Sequence, residues 1–99
     1  MVSSHKLNVL AESYADEAEL EQVVSKLLEV VLGQYRTRLK RYDRELRDFE
    51  SRFEMASPVF YQRFEAGELG DGADFFEWAG LYELRQNLAA KAQRMESAA

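Results

Sequence analysis

Side chains able to do acid–base, nucleophilic or metal chemistry are few in this chain, and their spacing does not bring them together. The single histidine, His5, lies in a polar segment without a nearby carboxylate cluster, whereas general-base catalysis needs an oriented partner and a pocket. The sequence has no cysteine, which removes disulfides, thiolate zinc sites and thiol nucleophiles. Its serines lack a motif that would activate a hydroxyl. We therefore expect no catalytic residue, no metal site and no cofactor, and the protein is predicted not to be an enzyme.

Carboxylates cluster in one glycine-rich stretch, at Glu65, Glu68, Asp71 and Asp74. A calcium-binding loop would need acids at alternating positions and a terminal glutamate over about twelve residues, and this spacing does not match it. The favoured interpretation is a solvated acidic loop in which Asp71 or Asp74 caps a following helix. The alternative is a docking surface for a basic partner.

A basic run from Arg36 to Arg47 raises the question of nucleic-acid binding. Its cations surround the predicted helix instead of sharing one face, and acids interrupt them. The net charge of -5 is also opposite in sign to that of a protein that binds phosphate backbones. A solvated helix surface is therefore favoured, and nucleic-acid binding is not expected.

Aromatic residues are concentrated between positions 60 and 78. Phe75, Phe76 and Trp78 cannot all face one side of a helix, because adjacent residues diverge by about 100°, so at least one should be partly exposed. Packing in a core at a helical corner is the favoured interpretation, and a protein-docking hot spot is the alternative. The candidate partner-binding residues are Phe60, Tyr61, Phe64, Glu68, Asp71, Asp74, Phe76 and Trp78.

These candidates must be positioned by helices, the longest of which is marked by a seven-residue repeat of large apolar side chains. Such spacing places eight side chains on one stripe, which we predict to be a self-association seam. The seam comprises Leu28, Leu32, Tyr35, Leu39, Tyr42, Leu46, Phe49 and Phe53. A second stripe beside its first half comprises Leu20, Val24, Leu27 and Val31.

The helical pattern predicts one long helix over 16–54, with carboxylates in its first turn. Its length of roughly 57 Å exceeds the diameter of about 35 Å expected for a compact domain of this size. Either the helix bends at Gly33, or the molecule is elongated and completes its core with another chain. We favour the second alternative.

Two shorter helices are predicted to follow in the same single domain, which covers 1–99. The first spans 57–66, with Ser57 as its cap, Pro58 at its first position and Gly67 after its end. The second spans 74–96 and contains Gly80, whose cost of about 1 kcal/mol relative to alanine indicates close approach of another helix or a large ring. Residues 1–15 are ambiguous between a short strand and disorder.

The distribution of charge favours an antiparallel arrangement of the two long elements. The long helix begins acidic and becomes basic, whereas the last helix begins acidic and ends with Lys91 and Arg94. Folding the last helix back sets acidic beside basic at both ends, and a parallel arrangement would set like charges together. The predicted fold is all-α, a helical hairpin with the short helix at its corner.

One stretch of the chain resembles a known family. The segment Phe60-Tyr61-Gln62-Arg63-Phe64-Glu65-Ala66-Gly67-Glu68-Leu69, with Asp74-Phe75-Phe76-Glu77-Trp78 after it, carries the resemblance, which covers about residues 35–90. It is similar to small helical proteins of bacteria and archaea that are encoded beside toxin-like genes and are regarded as antitoxins. The resemblance implies no enzymatic activity and no established site residues. It implies a protein partner, such as a nuclease-type toxin, that is neutralised by direct binding.

These observations predict a non-catalytic binding module of antitoxin type that also forms a homodimer. The alternative is a self-associating structural coiled coil without a dedicated partner. No apolar run approaches the roughly 20 residues that span a bilayer, and no signal peptide is apparent, so membrane association is not expected. Cytoplasmic residence is the default expectation.

Overall fold

The computed structural model describes residues 4–13 and 16–98. Within these ranges the chain forms four α-helices and no strand. The helices α2 and α4 pack against each other as an antiparallel hairpin, and α3 lies at the corner against both. The predicted all-α helical hairpin is thereby confirmed. The helices are α1, Ser4–Glu12; α2, Glu17–Phe53; α3, Ser57–Glu65; and α4, Ala73–Ala98.

The first helix corrects the prediction for the N-terminal segment. The short alternation from Lys6 to Val9 suggested a strand, but these residues lie inside α1. Leu7 and Leu10, three positions apart, lie on one face of a helix and would lie on opposite faces of a strand. Both are exposed, as are the other residues from 4 to 13. The remainder of that prediction falls on residues 1–3 and 14–15, which lie outside the described residues.

The second helix matches its predicted bounds to within one residue at each end. The Asp16 carboxylate accepts a 2.6 Å hydrogen bond from the backbone N–H of Glu19 and so caps the helix. Glu54 ends it in the left-handed conformation, with φ of 51°. The helix continues through Gly33 without interruption. The molecule measures 59 × 23 × 18 Å, with a radius of gyration of 19.2 Å, against about 13 Å for a compact domain of this size.

Three ion pairs mark the register of α4 on α2. Arg52 pairs with Asp74 at 2.9 Å, and Arg85 with Asp43 at 2.9 Å. A third pair joins α2 to the last turns of α4: Arg36 contacts Glu96 at 3.0 Å. The antiparallel orientation is confirmed. The charge pairing predicted for the corner end, with the cation on α2 and the acid on α4, is observed at Arg52–Asp74. At the other end the prediction is wrong, because the cation again lies on α2. The reason is that α4 ends before it reaches the acidic first turns of α2.

This register leaves the beginning of α2 beyond the reach of α4. We call residues 17–31 the α2 overhang. None of its side chains is buried, whereas Leu32, directly after it, is 6% exposed. The hairpin therefore has a two-helix part that carries the core and a single-helix part that does not.

The two shorter helices differ from their predictions mainly in their caps. α3 ends at Glu65, and Gly67 follows with φ of 75°. This left-handed conformation is the one expected of a glycine directly after a helix. α4 begins at Ala73, and the backbone N–H groups of Phe75 and Phe76 donate to the carbonyl of Gly72. Among the described hydrogen bonds, neither Asp71 nor Asp74 caps α4. The prediction of a carboxylate cap was therefore wrong.

Candidate protein-interaction site

An aromatic stack closes the corner between α2, α3 and α4. The Trp78 indole lies 3.7 Å from the Phe60 ring with an interplanar angle of 5°, and 5.6 Å from the rings of both Phe49 and Phe53. Trp78 and Phe60 are 0% exposed. These two predicted partner-binding residues belong to the core, and the structure corrects that assignment. Their burial follows from ring size, because a corner of three helices has room for large flat side chains.

A polar contact lies inside this aromatic core. The Trp78 Nε1 donates a 2.9 Å hydrogen bond to the Ser57 hydroxyl, and the Ser57 backbone N–H donates to Glu50 Oε2 at 2.7 Å. Ser57 is 3% exposed, and Ala56 occupies the N-cap position of α3 without a side-chain hydrogen bond. Ser57 was predicted as a helix cap. Its hydroxyl instead satisfies a buried donor on α4, which would otherwise be costly to bury.

Phe76 carries the aromatic cluster to the surface. Its ring meets Phe64 edge-on, at 5.3 Å and 88°, and the residue is 57% exposed. Phe75 is half-buried, and Trp78 is buried. The prediction that these three aromatic residues cannot all be buried is confirmed. Phe64 is half-buried beneath Phe76, so Phe76 offers the larger contact surface of the two.

Tyr61 is tied to α4 by its hydroxyl. Its ring packs 4.8 Å from Tyr82, and its hydroxyl donates a 2.5 Å hydrogen bond to Glu83 Oε1. This hydrogen bond, with desolvation and the Glu65 carboxylate, raises the pKa of Tyr61 above its ordinary value. At neutral pH the hydroxyl is thus a fixed donor within the fold.

The predicted acidic residues are dispersed in the fold. Glu68 pairs with Arg63 at 3.3 Å, Asp74 pairs with Arg52, and Asp71 is exposed on the loop before α4. Across residues 4–13 and 16–98, no group of three or more histidine or carboxylate side chains is arranged to hold a metal ion. The three acids therefore do not converge on a single point.

The predicted self-association seam is used within the chain. From Leu32 onward the seam faces α4, and Leu32, Tyr42 and Leu46 are buried while the other seam residues are half-buried. The apolar stripe that the seven-residue repeat forms on α2 is thus covered by α4 of the same chain. The assignment of the whole seam to contacts between copies is corrected, because only Leu28 belongs to the α2 overhang.

An open apolar groove runs between α2 and α4 beside Phe76. We call it the Gly80 groove. Phe76, Gly80 and Leu84 follow one another at intervals of four along α4, and Leu84 is 54% exposed. Phe49 closes the groove from the α2 side. The complete lining is Glu45, Asp48, Phe49, Arg52, Phe76, Glu77, Gly80, Leu81 and Leu84.

Gly80 leaves a gap between the two exposed apolar side chains. A Cβ atom built on Gly80 meets nothing within 4 Å among the described residues. The predicted close approach of another helix or a large ring is therefore not made by the described part of this chain. Glycine is unfavourable in a helix interior. No packing contact within the described part of the chain requires a glycine at this position.

The rim of the groove is predominantly acidic. Glu45, Asp48 and Glu77 lie on it, while the Arg52 cation is neutralised by Asp74 and lies over the rings of Phe49 and Phe53. Such a site can accept an apolar side chain flanked by basic groups. Of its lining residues, sequence reasoning included only Phe76 among the partner-binding candidates. The four-residue spacing of Phe76, Gly80 and Leu84 was the available signal.

Comparisons of this chain with protein-family models, with curated proteins and with solved structures find no match. Among the described helices, none combines the length and the apolar content that crossing a bilayer requires.

Proposed function

We propose that this chain is a non-catalytic protein-binding module that binds a basic protein through the Gly80 groove. The observation that carries the proposal is the open gap over Gly80 between exposed Phe76 and Leu84. A helix of a partner can approach the α4 backbone closely there, with an apolar side chain seated between Phe76 and Leu84. The acidic rim then selects partners with basic residues beside that anchor.

The resemblance to antitoxins extends this proposal to a biological role. A nuclease-type toxin carries a basic surface where it contacts RNA or DNA phosphates, and an acidic groove with apolar walls is complementary to such a surface. In this proposal the module covers that surface and so neutralises the toxin. Cytoplasmic residence is the default expectation within this proposal.

Co-expression with the product of the adjacent gene tests the proposal. We expect growth rescue and co-purification for the natural sequence, and loss of both for Gly80→Gln, because the glutamine side chain fills the gap. Gly33→Gln is the matched control, since Gly33 is also inside a helix with nothing within 4 Å of an added Cβ. It should retain binding within twofold, while Gly80→Gln weakens it by about tenfold or more, which corresponds to roughly 1.4 kcal/mol.

Two results contradict the proposal. One is equal binding by the Gly80→Gln and Gly33→Gln variants, since the groove would then not be the contact. The other is absence of both rescue and co-purification for the natural sequence.

A self-associating structural protein without a dedicated partner is the second candidate, and the exposed apolar side chains of the α2 overhang favour it. It predicts that replacing exposed Phe76 by serine changes no interaction outside the fold. Binding that is lost in Phe76→Ser, with the thermal midpoint unchanged, distinguishes the first candidate from the second.

A further inference from the structure

The α2 overhang carries an apolar surface that the described part of this chain leaves uncovered. Its aliphatic side chains are all at least partly exposed, and Val24, Leu27 and Val30 are 45%, 54% and 58% exposed. The complete set is Leu20, Val23, Val24, Leu27, Leu28, Val30 and Val31. Contiguous exposed apolar side chains of this kind mark an interaction surface.

The charged residues of the overhang lie mostly away from this surface. At about 100° per residue, the aliphatic side chains occupy an arc of about 160° of the helix circumference. Glu17 lies within the arc near the helix start, and Glu19 and Glu21 lie just beyond its two edges. Lys26 and Glu29 lie well outside it. Beyond residue 21 the surface therefore presents no charge within the arc for a basic partner to complement.

We propose that a second copy of this chain covers the overhang, with the two α2 helices antiparallel about a two-fold axis between residues 25 and 26. In this register Leu20 faces Val31 of the second copy, and symmetry repeats the contact. Val23 likewise faces Leu28 of the second copy, and Val24 faces its Leu27. Each of these three contacts joins one leucine and one valine, so the layers have equal volume. Val30, at the edge of the surface, faces Glu21 of the second copy.

Neighbouring registers do not share this property. With the axis moved to residue 24, Leu27 faces Glu21 and Val31 faces Glu17 of the second copy, and two carboxylates per chain are buried against aliphatic side chains. Six of the seven aliphatic side chains thus face one another in the register about residues 25 and 26, as an isologous interface requires.

The proposed pairing continues an interface already present in the hairpin. α4 runs antiparallel to α2 and its last turns reach Arg36 through Glu96. The overhang of the second copy also runs antiparallel to α2 and begins where α4 ends, on a neighbouring part of the α2 surface. The overhang is about 22 Å long, which is enough for four turns of paired helix.

Sedimentation velocity over a wide range of protein concentrations tests the pairing. We expect a reversible dimer, and at least a tenfold weaker dimer in Val24→Glu. Gln22→Glu adds the same charge to the same segment outside the arc and should change the dimer constant less than threefold. Because the overhang has four acids and one lysine, added salt should strengthen the dimer by screening repulsion. Docking of a basic partner should weaken with salt.

Disulfide formation between two single-cysteine variants tests the register. The chain has no natural cysteine, so Val24→Cys mixed with Leu27→Cys should form a mixed disulfide faster than either variant forms one with itself. A monomer at all concentrations overturns the proposal. Rapid disulfide formation by Val24→Cys alone also overturns it, since it indicates either parallel helices or an antiparallel register with the axis at residue 24. The Gly80 groove is not altered by these variants, so toxin neutralisation is scored independently.

Discussion

The indole Nε1 of Trp78 and the hydroxyl of Ser57 form a 2.9 Å hydrogen bond inside the aromatic core, between residues that are 0% and 3% exposed. This contact joins the start of α3 to the first turns of α4. Since the Ser57 N–H also donates to Glu50 on α2, one serine links all three helices of the corner. Ser57 is therefore a structural residue of the fold.

Replacement of Ser57 by alanine should lower the free energy of unfolding by about 1–3 kcal/mol, because the Trp78 N–H is then buried without an acceptor. Ser51→Ala, at an exposed position of α2, should change stability by less than about 0.5 kcal/mol. Urea denaturation followed by far-UV circular dichroism measures both values. Equal effects at the two serines would show that the buried hydrogen bond contributes nothing measurable.

Replacement of Phe60 by alanine should destabilise the protein by about 3–5 kcal/mol, because it removes the ring stacked on Trp78 and leaves a cavity. Val59→Ala is the adjacent control, since Val59 is 50% exposed, and should cost less than about 0.5 kcal/mol. Fluorescence of the single tryptophan reports the unfolding transition. A loss below about 1 kcal/mol for Phe60→Ala would contradict the assignment of this ring to the core.

The substitutions Gly33→Ala and Gly80→Ala should each raise the free energy of unfolding by about 1 kcal/mol, because alanine is the better helix former. An added Cβ meets nothing within 4 Å at either position. Differential scanning calorimetry should show a higher midpoint for both variants. A lower midpoint for Gly80→Ala would mean that a close packing contact exists there after all.

Alkaline titration should separate two tyrosines. Hydrogen bonding from Arg38 lowers the pKa of Tyr42, and hydrogen bonding to Glu83 raises the pKa of Tyr61. Ultraviolet difference absorbance should therefore show Tyr42 among the first phenols to ionise and Tyr61 the last. Tyr42→Phe should remove an early step and Tyr61→Phe the latest step. The reverse order would contradict these two hydrogen-bond assignments.

The same shifts set the sign of the stability change at high pH. Tyr61 has a higher pKa in the folded state, so its contribution is complete below the unfolded value near 10 and is lost as pH rises from there through the folded pKa. Tyr42 has a lower folded pKa, so its contribution appears only as pH rises through that value. Stability measured from pH 9 upward in the two phenylalanine variants should therefore change in opposite directions relative to the natural protein.

The helices and their pairing were predictable from the sequence because they depend on local signals. The seven-residue repeat, the carboxylates in the first turn of α2 and the position of Gly67 all act within a few residues. The N-terminal segment was not predictable, because a short alternation of apolar residues fits a strand and a helix equally well.

The role of Ser57 and the extent of the α2 overhang depend on distant residues. A serine before a proline at the start of a helix is explained locally as a cap, and its bond to Trp78, 21 positions away, leaves no local signal. Likewise the offset of α4 along α2 depends on the packing of Trp78 at the corner. This offset places Glu96, near the end of α4, beside Arg36. Charge patterning indicated the direction of α4 on α2 and left its offset undetermined.

The position of α3 has a consequence for the order in which the hairpin assembles. It brings Ser57 and Trp78, 21 positions apart in the chain, into contact before Arg36 and Glu96, which are 60 positions apart, need to meet. Closing the shorter loop first lowers the entropic barrier, and each later turn of α4 then pairs without closing a new loop. We expect rapid, zipper-like folding that nucleates at the aromatic corner and ends at the far tip of α4.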